Sequence, residues 1–170
     1  MKISVNVIAM LIGFLGLIAL INFLLIKLGT VLHLDFSLTL DWIFGKLFSP
    51  MAWAMGVPGA DVANVATMLG KKLTINEFVA FSDLTQTMVP DHAGTLVKGY
   101  QNVISDKALL IVSFAICGFA NFSSVGMQIG GIGALAPERR GDLARLGLRA
   151  LLCGTLASYL SATIAGILMG

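Results

Sequence analysis

The stretch 108–136, which reads ALLIVSFAICGFANFSSVGMQIGGIGALA, runs for 29 residues without a charged side chain. A helix that crosses the hydrocarbon core of a bilayer needs about 20 predominantly apolar residues. The stretch is therefore long enough to cross a membrane. Polar residues lie near its centre and several glycines follow them, so we expect a helix that is interrupted or tightly packed.

Two further charge-free runs lie on either side of this stretch. Residues 3–26 form a run of 24 and residues 150–170 a run of 21. The whole chain is 12% charged, against about 25% in a typical soluble domain. The first run is longer than the apolar region of a signal peptide, about 7–15 residues, and shows no small-residue cleavage site. We interpret all three runs as membrane spans, and the alternative for the first is an uncleaved signal anchor.

The segment 41–49 predicts a short amphipathic helix at the membrane surface. Trp42 and other apolar residues lie there beside Asp41 and Lys46, and tryptophan is enriched at membrane interfaces. We expect Pro50 to end this helix, because proline removes a backbone donor.

The next segment is apolar, but neither of its halves reaches bilayer length. Asp61 can cap a first helix that runs to about Leu69. Thr74 and Glu77 have the spacing of a capping box for a second helix, which runs to about Leu84. With a Gly-Lys-Lys turn at 70–72 between them, the two helices predict a hairpin that is re-entrant in the bilayer.

Charge placement predicts the orientation of the spans. Residues 86–106 are polar and read as a water-exposed loop, whereas 137–149 contain four arginines close to the last two spans. Cytoplasmic loops carry the excess of lysine and arginine. We therefore expect 137–149 inside, 86–106 and 29–57 outside, and Met1 inside.

Two sets of polar residues are candidates for a functional site. A carboxylate in a membrane-embedded segment, such as Glu77, is costly unless it is paired, solvated or protonated; the alternative is that it only caps a helix. Asn121, Ser123 and Ser124 lie in mid-span, where they either join helices or bind substrate at a broken helix. Together these residues favour a small polar solute as ligand.

The sequence favours a transporter over other classes of protein. It contains no paired-carboxylate site, phosphate-binding loop or metal-ligand spacing, so we do not expect an enzyme. A net charge of +2 without a basic and aromatic cluster argues against nucleic-acid binding. Both cysteines, Cys117 and Cys153, lie in apolar runs and are interpreted as small buried apolar residues.

Two long motifs resemble the concentrative nucleoside transporter family. The segment 118–146, GFANFSSVGMQIGGIGALAPERRGDLARL, is similar to that family's C-terminal signature, and so is Gly56-Val-Pro58 followed by MLGKKLTINEFVAFSDL at 68–84. The resemblance covers nearly the whole chain and is weakest in 86–106.

This resemblance implies an all-α membrane protein of the elevator type, built from two inverted repeats and usually trimeric. Residues 1–170 would form the C-terminal transporter domain, which is the second repeat. The implied elements of that repeat are a scaffold helix, an interfacial helix, a re-entrant hairpin, a broken transmembrane helix and a last transmembrane helix, at 3–28, 36–49, 58–85, 106–136 and 145–169.

The resemblance also implies a substrate and its ligands in the protein. Glu77 of the hairpin, together with Asn121 and Ser124 of the broken helix, would bind the ribose of a nucleoside, and Phe119 would line the site. A carboxylate and an amide suit vicinal hydroxyls. The coupling ion would be sodium or a proton, held mostly by the first repeat, and no organic cofactor is expected.

Family members are about twice this length or more, so we expect this chain to be a C-terminal portion: a fragment, a split gene product or a truncated reading frame. As a whole the protein would be a cation-coupled nucleoside symporter, a homotrimer in contact with lipid in the cytoplasmic membrane. The alternative is a remnant, or a small accessory or structural membrane protein, without transport activity of its own.

Overall fold

The computed structural model describes residues 2–87 and 104–170, and every regular element in this part of the chain is helical. The long helices are α1 (Lys2–Val31), α2 (Leu40–Ala54), α3 (Val62–Thr74), α4 (Glu77–Thr87), α5 (Asp106–Ile116), α6 (Phe122–Leu135) and α7 (Arg140–Met169). Short 3-10 turns at Gly59–Asp61 and Pro137–Arg139 precede α3 and α7. The prediction of an all-α protein is confirmed for these residues. Most of the predicted loop 86–106, namely 88–103, lies outside them.

Among the described residues, one helix is long and apolar enough to cross a bilayer. The helical segment Pro137–Met169 is long and apolar enough to cross a membrane, and shorter apolar helices lie at Leu15–Val31 and Phe122–Leu135. The assignment of three membrane spans therefore remains a prediction.

Helix α2 is longer than its sequence suggests, and the prediction that Pro50 ends it is wrong. Pro50 lies inside the helix, which continues to Ala54. Thr39 caps its first turn by accepting a hydrogen bond from the Trp42 N–H at 3.2 Å. Proline leaves the carbonyl of the residue four positions earlier without its partner. That residue is Lys46, which is exposed like Pro50, so the proline lies on an open face of the helix.

Helix α3 also passes beyond its predicted end. It runs to Thr74 rather than to Leu69, so the residues 70–72, predicted as a turn, are helical. The tip of the α3–α4 hairpin is instead formed by Ile75 and Asn76. Tertiary packing explains the difference, because most residues from Val65 to Thr74 are buried and α3 packs closely on α2.

The predicted capping box of Thr74 and Glu77 is wrong. Thr74 is buried, and its hydroxyl lies 2.8 Å from both the Gly70 carbonyl and the Asp41 carboxylate. Asn76 caps α4, because its Oδ1 accepts a hydrogen bond from the Val79 N–H at 2.9 Å. Glu77 is thus the first residue of α4 and is not needed as its cap.

Asp61 lies at the start of α3 as predicted, but its side chain does not cap that helix. It accepts hydrogen bonds from the Ser105 hydroxyl at 2.6 Å and the Ser105 N–H at 3.2 Å. Ser105 is itself the N-cap of α5. Asp61 therefore joins the first turns of α3 and α5.

The main hydrophobic core lies among α2, α3, α4 and α5, with α7 covering one side. Its fully buried members include Leu69, Ile111 and Val112, and Tyr159 of α7 packs against them. Helix α1 packs mainly against α6. This core fixes the α3–α4 hairpin next to the junction between α5 and α6.

Replacing Gly70 with alanine should lower the stability of the chain. A Cβ at this position would lie 3.0 Å from the Asp41 carbonyl oxygen and from the Gly45 nitrogen, both of the α2 backbone. Overpacking typically costs about 1–3 kcal/mol, more than the roughly 1 kcal/mol that alanine gains over glycine in a helix. We expect a lower midpoint of thermal unfolding in detergent.

Gly16 of α1 provides the matched control, since a Cβ there would meet no atom within 4 Å. Gly16→Ala should leave the midpoint unchanged or raise it slightly. An equal midpoint for both variants would show that the close contact of α2 and α3 does not limit stability.

Candidate functional site

The chain leaves its helical path between α5 and α6, at residues 117–121. Asn121 is in an extended conformation and caps α6. Its Oδ1 accepts a hydrogen bond from the Ser124 N–H at 2.7 Å, and its own N–H donates to Ser124 Oγ at 3.2 Å. The sequence predicts an interruption in this segment, and the capping box of Asn121 and Ser124 is its local cause.

The interruption packs directly against α7. A Cβ on Gly118 would lie 2.0 Å from the Ser158 hydroxyl oxygen and 3.3 Å from the Ser158 Cβ, so a larger residue would force the Ser158 side chain to move. Glycine allows the close approach of this segment to α7. This contact fixes the position from which Asn121 projects.

Glu77 and Asn121 meet across the gap between the α3–α4 hairpin and the start of α6. Asn121 Nδ2 donates a hydrogen bond to Glu77 Oε2 at 2.7 Å. Asn121 is fully buried, whereas Glu77 is half-buried. The short distance is typical of a hydrogen bond to a charged acceptor.

Ser123 joins the same two elements. Its buried hydroxyl lies 2.7 Å from Asn121 Oδ1 and 3.1 Å from the carbonyl oxygen of Ile75, at the hairpin tip. A hydroxyl has one proton, so it donates to one of these acceptors at a time. The tip of the hairpin is thereby held against the start of α6.

Three of the four predicted site residues are thus brought together, namely Glu77, Asn121 and Ser124. Phe119 lies two residues before Asn121 and its side chain is 51% exposed. Phe119 and Ser124 line a mostly apolar cleft of about 520 Å³ between α6 and α7. The aromatic ring therefore borders an open space beside the polar cluster.

The cluster has the chemistry to bind a solute with hydroxyl groups. Glu77 Oε1 has no hydrogen-bond donor among residues 2–87 and 104–170, so it is available as an acceptor. The start of α4 places the carboxylate at a helix N-terminus, which stabilises negative charge. A carboxylate next to an amide offers acceptors and a donor to neighbouring hydroxyls.

Sequence reasoning missed two features of the hairpin. Lys71 forms an ion pair with Asp83 of α4. Lys72 is fully buried, although both lysines were expected at an open turn. The spacing along the helix indicates this burial, because Lys72 follows the buried residues Leu69 by three positions and Val65 by seven.

Comparison with known protein families gives one match over nearly the entire chain. The family described as "Na+ dependent nucleoside transporter C-terminus" matches residues 1–166.

Curated relatives and solved structures agree with this match. An uncharacterised transporter of Haemophilus influenzae is 46% identical over 100% of this chain and 39% of its own length. The nucleoside permease NupC of Helicobacter pylori is 38% identical over 100% of this chain and 38% of its own. A variant of CNTnw, solved in an outward-facing state, superimposes with a TM-score of 0.85 at 40% identity, covering 99% of this chain and 40% of that one. The chain spans about two fifths of the length of these proteins.

Proposed function

The chain belongs to the Na+-dependent nucleoside transporter family, as a match to its C-terminal region, and on that premise we propose that it supplies the ribose-binding half of a nucleoside site. Transport across the membrane would be carried out together with the part of the protein that corresponds to the remaining length of the relatives. The chain would itself form or break no covalent bond, as expected of a transporter.

The hydrogen bond between Glu77 and Asn121 is the observation that carries this proposal. It brings a carboxylate and a buried amide from segments 44 residues apart to within 2.7 Å. Because Asn76 caps α4, helix capping does not explain why a carboxylate lies at position 77. We propose that Glu77, Asn121 and Ser124 bind the ribose hydroxyls, and that Phe119 borders the nucleoside in the adjoining cleft.

The coupling and architecture of the whole transporter are also proposals. The family description supports a sodium gradient as the driving force, and a proton is the alternative that the sequence leaves open. We propose that the other repeat holds most of the ion site. Elevator-type movement, a homotrimer, and a multi-pass position in the cytoplasmic membrane, with 137–149 on the inner side, complete the proposal.

We propose for each helix the role expected from the family resemblance, with the residue bounds that the structure gives. We propose α1 as the scaffold helix, α2 as the interfacial helix, and α3 with α4 as the re-entrant hairpin. Helices α5 and α6 would form the two halves of the broken transmembrane helix, and α7 the last span. Broken helices place their capped ends and freed backbone groups at substrate sites.

Uptake by a chimera tests the proposed function. This chain replaces the matching C-terminal region of the H. pylori permease, with which it is 38% identical, and labelled uridine uptake is measured in cells lacking nucleoside transporters. We expect uptake that depends on a cation gradient, with sodium and protons varied separately. Uptake is also measured for the chain alone and for the chain co-expressed with the N-terminal part of the permease.

Uptake by the chimera, and none by the chain alone, would support a half-site role. If the parent permease transports uridine while a membrane-inserted chimera does not, the proposed function is wrong. A remnant or accessory protein would then be the better interpretation.

A further inference from the structure

The charge-free run 108–136 contains a second side-chain amide, that of Gln128, besides the amide of Asn121. Gln128 lies in α6 and its side chain is exposed. Within residues 2–87 and 104–170 this side chain forms no hydrogen bond. A polar side chain in a membrane-embedded helix is costly unless it has a partner. We therefore expect the amide to meet a polar group from outside this part of the chain.

Gln128 lines the cleft between α6 and α7 that begins at Phe119 and Ser124. Of the described residues that line this cleft, Ser124 and Gln128 alone have polar side chains. Four residues of an α-helix advance about 6 Å and return to nearly the same face. The amide thus lies one turn further along the cleft than Ser124. Small-molecule sites are typically apolar, with a few polar groups that orient the ligand.

Close packing of small residues sets the width of the cleft. A Cβ on Gly147 would lie 2.6 Å from Val125 Cγ1, and a Cβ on Gly154 would lie 3.2 Å from Ala120 Cβ. All four residues line the cleft. Its volume of about 520 Å³ lies within the range of small-molecule pockets, about 300–1,000 Å³.

From this arrangement we infer that the cleft holds the base of the nucleoside, and that Gln128 is a specificity-determining residue whose amide forms hydrogen bonds with the polar edge of that base. The inference rests on the proposed function, because the ribose must lie at the cluster of Glu77, Asn121 and Ser124 for the base to extend past Ser124.

The chemistry of the base suits this cleft. A flat ring matches the apolar walls, and an amide offers a donor and an acceptor side by side. Uracil presents an N–H group between two carbonyl oxygens at an edge away from the ribose. The Gln128 oxygen can accept from that N–H while its NH₂ group donates to a neighbouring carbonyl.

A comparison of uridine with 3-methyluridine in the chimera tests the inference, because the methyl group replaces the N–H. Gln128→Met keeps the approximate size of the side chain and removes its donor and its acceptor. We expect the unmodified chimera to prefer uridine. Gln128→Met should lower the ratio of uridine to 3-methyluridine uptake at limiting substrate about 10-fold, the equivalent of one hydrogen bond.

Ile132→Met is the matched control, since Ile132 lines the same cleft one turn beyond Gln128 and has no polar group. Its uptake ratio should equal that of the unmodified chimera. Glu77→Gln should lower the uptake of both nucleosides by the same factor, because both contain the same ribose.

An unchanged ratio in Gln128→Met would overturn the inference, and so would the lack of a preference for uridine in the unmodified chimera. An equal fall for both nucleosides would also overturn it, because Gln128 would then pair with another segment of the transporter. If Gln128→Met does not insert in the membrane, Gln128→Ala replaces it, and failure of both to insert would assign Gln128 to packing instead.

These outcomes leave the proposed function intact, since each concerns the base alone. Absence of uridine uptake by the unmodified chimera, with the parent permease active, would instead contradict the proposed function itself.

Discussion

Replacing Glu77 with glutamine should lower uridine uptake by the chimera about 10- to 100-fold at limiting substrate, the equivalent of one hydrogen bond to a charged group. The carboxylate offers two charged acceptors, whereas the amide of glutamine offers one neutral acceptor. Asn121 already donates to one carboxylate oxygen at 2.7 Å. If glutamine keeps that bond through its oxygen, it turns an N–H group toward the ribose in place of an acceptor.

Folding should be largely unaffected by this change, because Asn76 and not Glu77 caps α4. Membrane insertion and thermal unfolding are measured alongside uptake to verify this. Glu138→Gln is the control, since Glu138 is exposed in the turn before α7. We expect this variant to transport uridine normally. Unchanged uptake by Glu77→Gln at limiting substrate would remove Glu77 from the ligand set.

Replacing Asn121 with alanine should abolish measurable uptake while the protein still inserts in the membrane. Alanine removes the donor to Glu77 and the acceptor for the Ser124 N–H at once. Loss of a helix cap alone costs about 0.5–2 kcal/mol, so a lower unfolding midpoint is also expected. A second variant is needed to separate binding from capping.

Asn121→Ser provides that separation. Serine is a good N-cap residue, but its short hydroxyl cannot span the distance to Glu77 that the asparagine amide covers. We expect near-normal unfolding with uptake still lost. If Asn121→Ser restores uptake together with stability, the role of Asn121 is to pack and cap the helix, and its assignment to the ribose is wrong.

Much of the fold could be predicted from composition within single segments. The charge-free runs indicated helices, and the polar cluster in 108–136 indicated an interruption of one of them. Asn121 and Ser124 have the three-residue spacing that caps a helix, so the start of α6 is also encoded locally. The family motifs around Glu77 and Asn121 then indicated the site.

The details that sequence reasoning missed depend on contacts between segments. Thr74 and Glu77 have the spacing of a capping box, but Thr74 is drawn to Asp41, 33 residues away in sequence. Lys72 belongs to a buried face that only the packing of α3 against its neighbours creates. Pro50 is tolerated because the carbonyl it leaves unpaired belongs to an exposed residue. At Thr74 and Lys72 tertiary structure overrides local propensity, whereas at Pro50 the helix continues because its exposed face tolerates the proline.

The bond between Glu77 and Asn121 has a further consequence for a transport cycle. A ribose hydroxyl that reaches Glu77 Oε2 would exchange one hydrogen bond for another, so the net gain in free energy would be small. Modest affinity of this kind favours rapid release of cargo on the far side of the membrane. In an unloaded carrier the Asn121 amide and Glu77 Oε2 would remain paired with each other, which lowers the barrier to its return without substrate.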